Sequence, residues 1–276
     1  MRKSRDGDLA ALSAMDLILM IKRIGFIGTG TITEAVVSGI ATAPGLPPEI
    51  WVSPRNAEVS ARLAQAHAFV HVGRDNQDVV DRCDVVCLCV RPQIAEEVLG
   101  ALRFSAGHRI LSFIATWNLQ RLSATMPHVS RIARLAPLPM VAQHAGPTII
   151  YPPDEIAAHL FRPLGQAIEV TDEATFDTLL TATALMGPFF ATLDAVGTWL
   201  DDHGVAGPQA RSYLGELFRG LGAIAQHRDS GFAELSREFS TVGGLNEQFT
   251  RELDERGVFE AYGAALDQVR NRIGRR

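Results

Sequence analysis

The sequence predicts an α/β protein: a mostly parallel sheet covered by helices on both faces, with an all-helical region behind it. Three observations carry that expectation. An apolar run, Ile24 to Ile27, meets Gly28-Thr29-Gly30 and passes at once into a segment with Ile32, Val36 and Ile40 at helical spacing. From there to about Val170, short apolar runs alternate with helical patterns, as crossovers between parallel strands require. From Thr171 onward the apolar stripes all have the helical period.

Length and composition set the frame. The 276 residues suffice for two domains, and 47% hydrophobic against 21% charged residues allows a large core. A net charge of −5 argues against a nucleic-acid groove. Cys83, Cys87 and Cys89 crowd one apolar run, too few for a zinc site and too close along one strand to bridge, so they read as reduced core thiols of a cytoplasmic protein. Residues 1–20 are basic at Arg2, Lys3 and Arg5, with only a short apolar piece after Asp16. They read as an extension, with Met15 and Met20 as further start candidates, and no span is expected to cross a membrane.

Residues 21–170 form the expected Rossmann-type, dinucleotide-binding domain. Strand one, Ile24–Ile27, leads into the glycine turn, where Gly28 permits the bend and Gly30 lets backbone approach a phosphate. Thr29, Thr31 and Ile32 complete the edge at which the helix N-terminus meets a diphosphate. The third fingerprint position is Thr33, small enough for close helix–strand packing but neither Gly nor Ala. Ala43 to Pro48 is a loop, and Ile50–Ser53 a short second strand.

After that strand an NAD site would place Asp or Glu. This sequence has Ser53-Pro54-Arg55-Asn56, and a hydroxyl with a guanidinium suits a 2′-phosphate. NADPH is therefore the expected cofactor, in preference to NAD. Strands three to six fall at Ala68–Val72, Asp84–Val90, Arg109–Ile114 and Val129–Leu135. Val90, Arg91 and Gln93 at the end of the fourth, and Ala115 at the end of the fifth, face the expected ligand crevice. Two further strands, Thr148–Tyr151 and Ala167–Val170, flank the Pro152-Pro153 turn.

Residues 171–276 are expected to be helical throughout. Stripes run through Phe189, Leu193, Val196 and Leu200; through Ala210 to Ile224; through Leu245, Phe249 and Leu253; and through Phe259 to Ile273. Gly187-Pro188 should kink or restart the first. Several long stripes in so short a stretch suit a bundle that also packs against a second subunit. Ser240 to Asn246 sets Gly243 and Gly244 among small hydroxyl residues just before an amphipathic helix, where free N–H groups could grip a carboxylate.

These pieces resemble pyrroline-5-carboxylate reductase from Lys22 onward. GFIGTGTITEAVVSG is similar to that family's GFIGxGNMAEAIxxG, DVVCLCVRPQ to DVVxLAVKPQ, and FSTVGGLNEQ to VTSPGGTT. The resemblance implies a Rossmann domain, a helical dimerisation domain, and NAD(P)H-dependent reduction of a cyclic imine to proline at the domain or subunit interface. That is an oxidoreductase acting on a CH–NH group, in proline biosynthesis, as a homodimer or higher oligomer without nucleic-acid or membrane partners. Asn76 matches an Asn near the family's cofactor. Departures cluster at the substrate site: the family's MPNTP puts Leu138 where it has Asn, and its SGSGPA becomes Ala184 to Phe189.

Its proton-donating Thr aligns with Asn246, the catalytic candidate, and an amide is a poor proton donor. Ser240, Thr241, Gly243, Gly244 and Leu138 are the substrate-binding candidates. A β-hydroxyacid dehydrogenase would need a Lys in the helical region, and the only lysines are Lys3 and Lys22. The remaining alternative is a catalytically silent NADPH-binding sensor or subunit partner.

Overall fold

The structure, a computed structural model, describes residues 22–44 and 49–274. The extension 1–20 and the end of the loop at 45–48 lie outside the described residues. The chain divides into two compact units, the first running to Leu180 and including the residues from Ile273 on, the second spanning Thr181–Arg272. The division falls inside a helix, downstream of the expected boundary at 170/171.

In the first unit, β1 (Arg23–Ile27), β2 (Glu49–Val52), β3 (Val70–Val72), β4 (Val85–Leu88), β5 (Arg109–Ser112) and β6 (Arg131–Ala136) are parallel neighbours. β7 (Pro147–Tyr151) joins β6 antiparallel, and β8 (Gln166–Glu169) runs parallel to β7. The order is β3-β2-β1-β4-β5-β6-β7-β8. The order reverses between β1 and β4, the switch point where such sheets open a ligand crevice beyond their strand C-termini.

Alternation along the strands explains the double cover. Ile24, Phe26, Val85, Cys87 and Leu111 face one core, while Ile27, Val86, Leu88 and Ile110 face the other. Helices α1 (Thr31–Thr42), α2 (Ala57–Ala66) and α6 (Glu155–Phe161) close the first face through Val36, Leu63 and Phe161. Helices α3 (Asn76–Arg82), α4 (Pro92–Gly100) and α5 (Leu119–Thr125) close the second through Val80, Leu99 and Leu122. Both faces being buried is why these strands read as continuous apolar runs.

The cysteines lie within this packing. Burial pushes the Cys83 and Cys89 thiols up to about 12 and raises the Cys87 thiol well above its ordinary value, so none is a ready nucleophile.

α7 (Glu173–Ala182) leads through a tight turn at Thr183–Leu185 into α8 (Met186–Asp202). Pro188 sits in the first turn of the restarted helix, where its missing N–H costs nothing, as the sequence implied. In the second unit follow α9 (Gly207–His227), α10 (Phe232–Glu238), α11 (Leu245–Glu255) and α12 (Val258–Gly274).

The expectation that no span crosses a membrane meets one candidate. The helical stretch Glu173–Asp202 is long and apolar enough to cross a membrane by length and composition, with mean hydropathy 1.5 over its best window. Its longest uncharged run, however, is the 16 residues from Thr178 to Leu193, bounded by Asp177 and Asp194. That falls short of the roughly 20 apolar residues a bilayer core requires.

Candidate functional site

The crevice is built first by the turn after β1. Gly28 has φ +100°, and a Cβ there would lie 2.7 Å from the Cys89 carbonyl oxygen. No other residue fits that bend against the neighbouring strand end. At Gly30, the N-cap of α1, backbone dihedrals are ordinary and a Cβ would meet no atom within 4 Å. Packing does not demand glycine there, and the space in front of its backbone is open.

No side chain caps α1, so its opening amides at Thr31 and Ile32 face outward with the positive end of the helix dipole. The residues present fit a diphosphate, which such an open helix N-terminus could hold. Thr33 is fully buried and donates its hydroxyl to the Gly28 carbonyl at 2.6 Å. The unusual fingerprint residue thus ties the turn to the helix and adds the small volume that close packing allows.

Ser53 differs from expectation. It is buried, its Oγ accepts from the Gly28 N–H at 2.8 Å, and its carbonyl accepts from the Thr29 hydroxyl at 2.6 Å. With Oγ also 3.1 Å from Thr29 Oγ1, the Ser53 hydroxyl is engaged inside the protein and does not face a 2′-phosphate. It braces the turn instead. Arg55 is exposed and makes no ion pair with any described residue, which leaves its guanidinium available. Asn56 caps α2, accepting from the Val59 N–H at 3.4 Å.

Further along the crevice, Val90 is buried while Arg91 and Gln93 are exposed at the start of α4, where Arg91 is the N-cap. Asn76 opens α3, half-buried, behind the N-cap Asp75. Ala115 is exposed beyond β5, and Leu138 is half-buried beyond β6.

One group went unread in the sequence. Arg134 of β6 is only 2% exposed; its Nη1 donates to Glu173 Oε1 at 2.7 Å and its Nη2 to Asp177 Oδ1 at 2.9 Å and to the Ala115 carbonyl at 3.1 Å. An arginine within a strand run carries no sequence signal of such partners.

The second unit holds the other candidates. Gly243 has φ +73°, and its N–H donates to Glu247 Oε2 at 2.7 Å. The carboxylate of Glu247 thus takes one amide of this turn, while no side chain caps the helix that follows. Gly244, the N-cap of α11, donates its N–H to the Thr241 carbonyl at 2.8 Å, so it too is engaged. Ser240 is half-buried and Thr241 exposed in the same turn. Asn246 donates its side-chain amide to the Phe239 carbonyl at 2.8 Å. Among the described residues no group of three or more His, Cys, Asp or Glu could hold a metal ion.

Comparison with known proteins agrees with this architecture. Residues 23–116 match a family described as NADP oxidoreductase coenzyme F420-dependent. Pyrroline-5-carboxylate reductase of Escherichia coli (strain K12) is 24% identical over 257 residues, covering 90% of this chain and 95% of that protein. The crystal structure of the Streptococcus pyogenes 1-pyrroline-5-carboxylate reductase superposes with TM-score 0.79 at 21% identity, covering 91% of this chain and 97% of that one. The Plasmodium falciparum pyrroline carboxylate reductase, solved with NADP bound, gives TM-score 0.79 at 16% identity over 92% and 97%.

The resemblance to pyrroline-5-carboxylate reductases holds. It covers 90% of the chain and so extends over both units. At Asn246, one of the departures, the side-chain amide is held by the Phe239 carbonyl.

Proposed function

We propose that this protein is an NADPH-dependent reductase delivering hydride to the C=N bond of a small cyclic imine. The open helix N-terminus behind Gly30, beside an unpaired Arg55, is the observation that carries the reading. Over the bend that Gly28 makes, Thr29, Gly30, Thr31 and Ile32 hold the diphosphate, and Arg55 reads the 2′-phosphate by charge-assisted bonds. Ser53 stiffens the turn. Val90, Arg91, Gln93 and Ala115 line the nicotinamide half. NADPH supplies the hydride; the chain binds, orients and excludes water. Its reduced thiols suit the cytoplasm. Arg55→Ala should weaken NADPH by roughly tenfold or more while leaving NADH nearly unchanged, by calorimetry; equal losses would remove Arg55 from the 2′ position.

The substrate lacks a carboxylate. The Glu247 carboxylate occupies the Gly243 amide at the head of this turn, and its negative charge disfavours a substrate acid there while attracting a protonated imine. The iminium arrives already protonated, so Asn246 need only hydrogen-bond it. The test follows NADPH absorbance with 1-pyrroline and with 1-pyrroline-5-carboxylate. 1-Pyrroline should give the higher kcat/KM by roughly tenfold, and Glu247→Gln should narrow that ratio. A wild type preferring the acid overturns the substrate assignment. Tight NADPH binding with oxidation by neither imine would favour the silent sensor, the reading to which an amide at position 246 points.

A further inference from the structure

We propose that Arg134 is a positioning residue for the nicotinamide end of the dinucleotide, acting through the Ala115–Thr116 peptide. The inference rests on the dinucleotide reading above. Arg134 does not reach the crevice itself: its side chain is buried beneath it, with its guanidinium carbon 4.3 Å over the Phe176 ring. Glu173 and Asp177 hold the two Nη atoms from α7. Glu173 Oε1 also accepts the Leu119 N–H at 2.7 Å, which fixes the start of α5 in the same network. The guanidinium is thereby locked in orientation, and its remaining Nη2 hydrogen goes to the Ala115 carbonyl.

Ala115 lies past the end of β5, on the far side of β4 from the glycine turn. A dinucleotide whose diphosphate sits at Gly28–Gly30 and whose adenosine lies toward β2 extends its other half in this direction. In a trans peptide the C=O and N–H point opposite ways. With the Ala115 oxygen turned down to Arg134, the Thr116 N–H points away from it, a donor to which no described group is bonded. The Thr116 hydroxyl oxygen beside it is buried and likewise without a partner. The unpaired N–H beside this pinned peptide is what a ring carboxamide would satisfy, its oxygen accepting from Thr116. Arg134 sets the plane of that peptide, and with it which face of the ring is presented.

Two ligands separate this role from simple scaffolding. NADPH carries the ring, whereas 2′,5′-ADP carries the adenosine and 2′-phosphate alone. Calorimetry should show Arg134→Lys and Arg134→Met weakening NADPH about tenfold, the size of one lost hydrogen bond, while 2′,5′-ADP binds as to wild type. Equal weakening of both ligands, or of neither, overturns the proposal. Should the variants fail to fold, the wild type still decides. The thionicotinamide analogue of NADPH offers sulfur, a poorer acceptor, and should bind several-fold more weakly than NADPH; equal affinity overturns the assignment. A wild type that binds neither NADPH nor 2′,5′-ADP removes the dinucleotide reading itself, and this inference with it.

Discussion

Gly28 and Gly30 stand two residues apart and are glycine for different reasons. At Gly28 the backbone is left-handed and a Cβ would strike the Cys89 carbonyl. Gly28→Ala should therefore lower the melting temperature, since strain of this kind costs about 1–3 kcal/mol before the clash is counted. Gly30→Ala meets only open space at an ordinary φ of −109°, so thermal unfolding should shift little while NADPH binding collapses. Unchanged affinity in Gly30→Ala would mean that no phosphate approaches there. The glycines were legible because their place between a strand and a helix exposes them.

The direction of the Ser53 hydroxyl was not legible, because it depends on where the next strand's turn lies in space. Arg134 was equally hidden: its carboxylate partners lie 39 and 43 residues on. Replacing it removes the buried cation that faces Glu173 and Asp177 and should lower the melting temperature. The Lys variant keeps a charge there for that reason.

At the scale of elements, α3 shows how side chains decide where a helix begins. Asp75 caps it, accepting the Asp78 N–H at 2.8 Å, and Asp78 lies in its first turn. Asp78 Oδ1 takes Arg74 at 2.8 Å and Arg82 at 3.0 Å, and Oδ2 takes the Arg74 backbone N–H. The Arg74 guanidinium above all, then that backbone N–H, holds the Asp78 carboxyl well below the usual carboxylate range. A depressed folded-state value means the carboxylate stabilises the fold above its unfolded value of about 4, and that this contribution is lost as pH falls below it. Asp78→Asn should lower the melting temperature at pH 7 and flatten its fall between about pH 5 and 2. An unchanged acid limb would show that Asp78 is not linked to folding.

Periodicity located every strand, but their ends moved. The run DVVCLCV is strand only over Val85–Leu88, because Cys89 and Val90 bend past the glycine turn, with the Cys89 N–H still on the Ile27 carbonyl at 2.8 Å. Helix α10 went unread: at seven residues it carries only two turns of pattern.

On the scale of the molecule, the helical unit buries little. Among its described residues only Ala210, Leu214 and Leu235 are buried hydrophobics, while Phe190, Trp199, Leu217, Leu221 and Phe249 lie exposed. A groove of about 610 Å³ opens along α8 and α9, lined by Phe190, Leu193, Thr198 and Arg211. Exposed apolar surface on this scale marks an interaction face. Sedimentation should show at least a dimer, and Leu221→Glu should shift it toward monomer. A wild type that stays monomeric at micromolar concentration would contradict this.

The tie between Thr29, Ser53 and Gly28 has a kinetic consequence. Because β2 and the phosphate turn are laced by hydroxyls before any coenzyme arrives, the receptacle needs no rearrangement on encounter. The Gly28 amide should resist deuterium exchange in the empty protein, and coenzyme capture should proceed in one phase, its rate rising linearly with concentration and never levelling off.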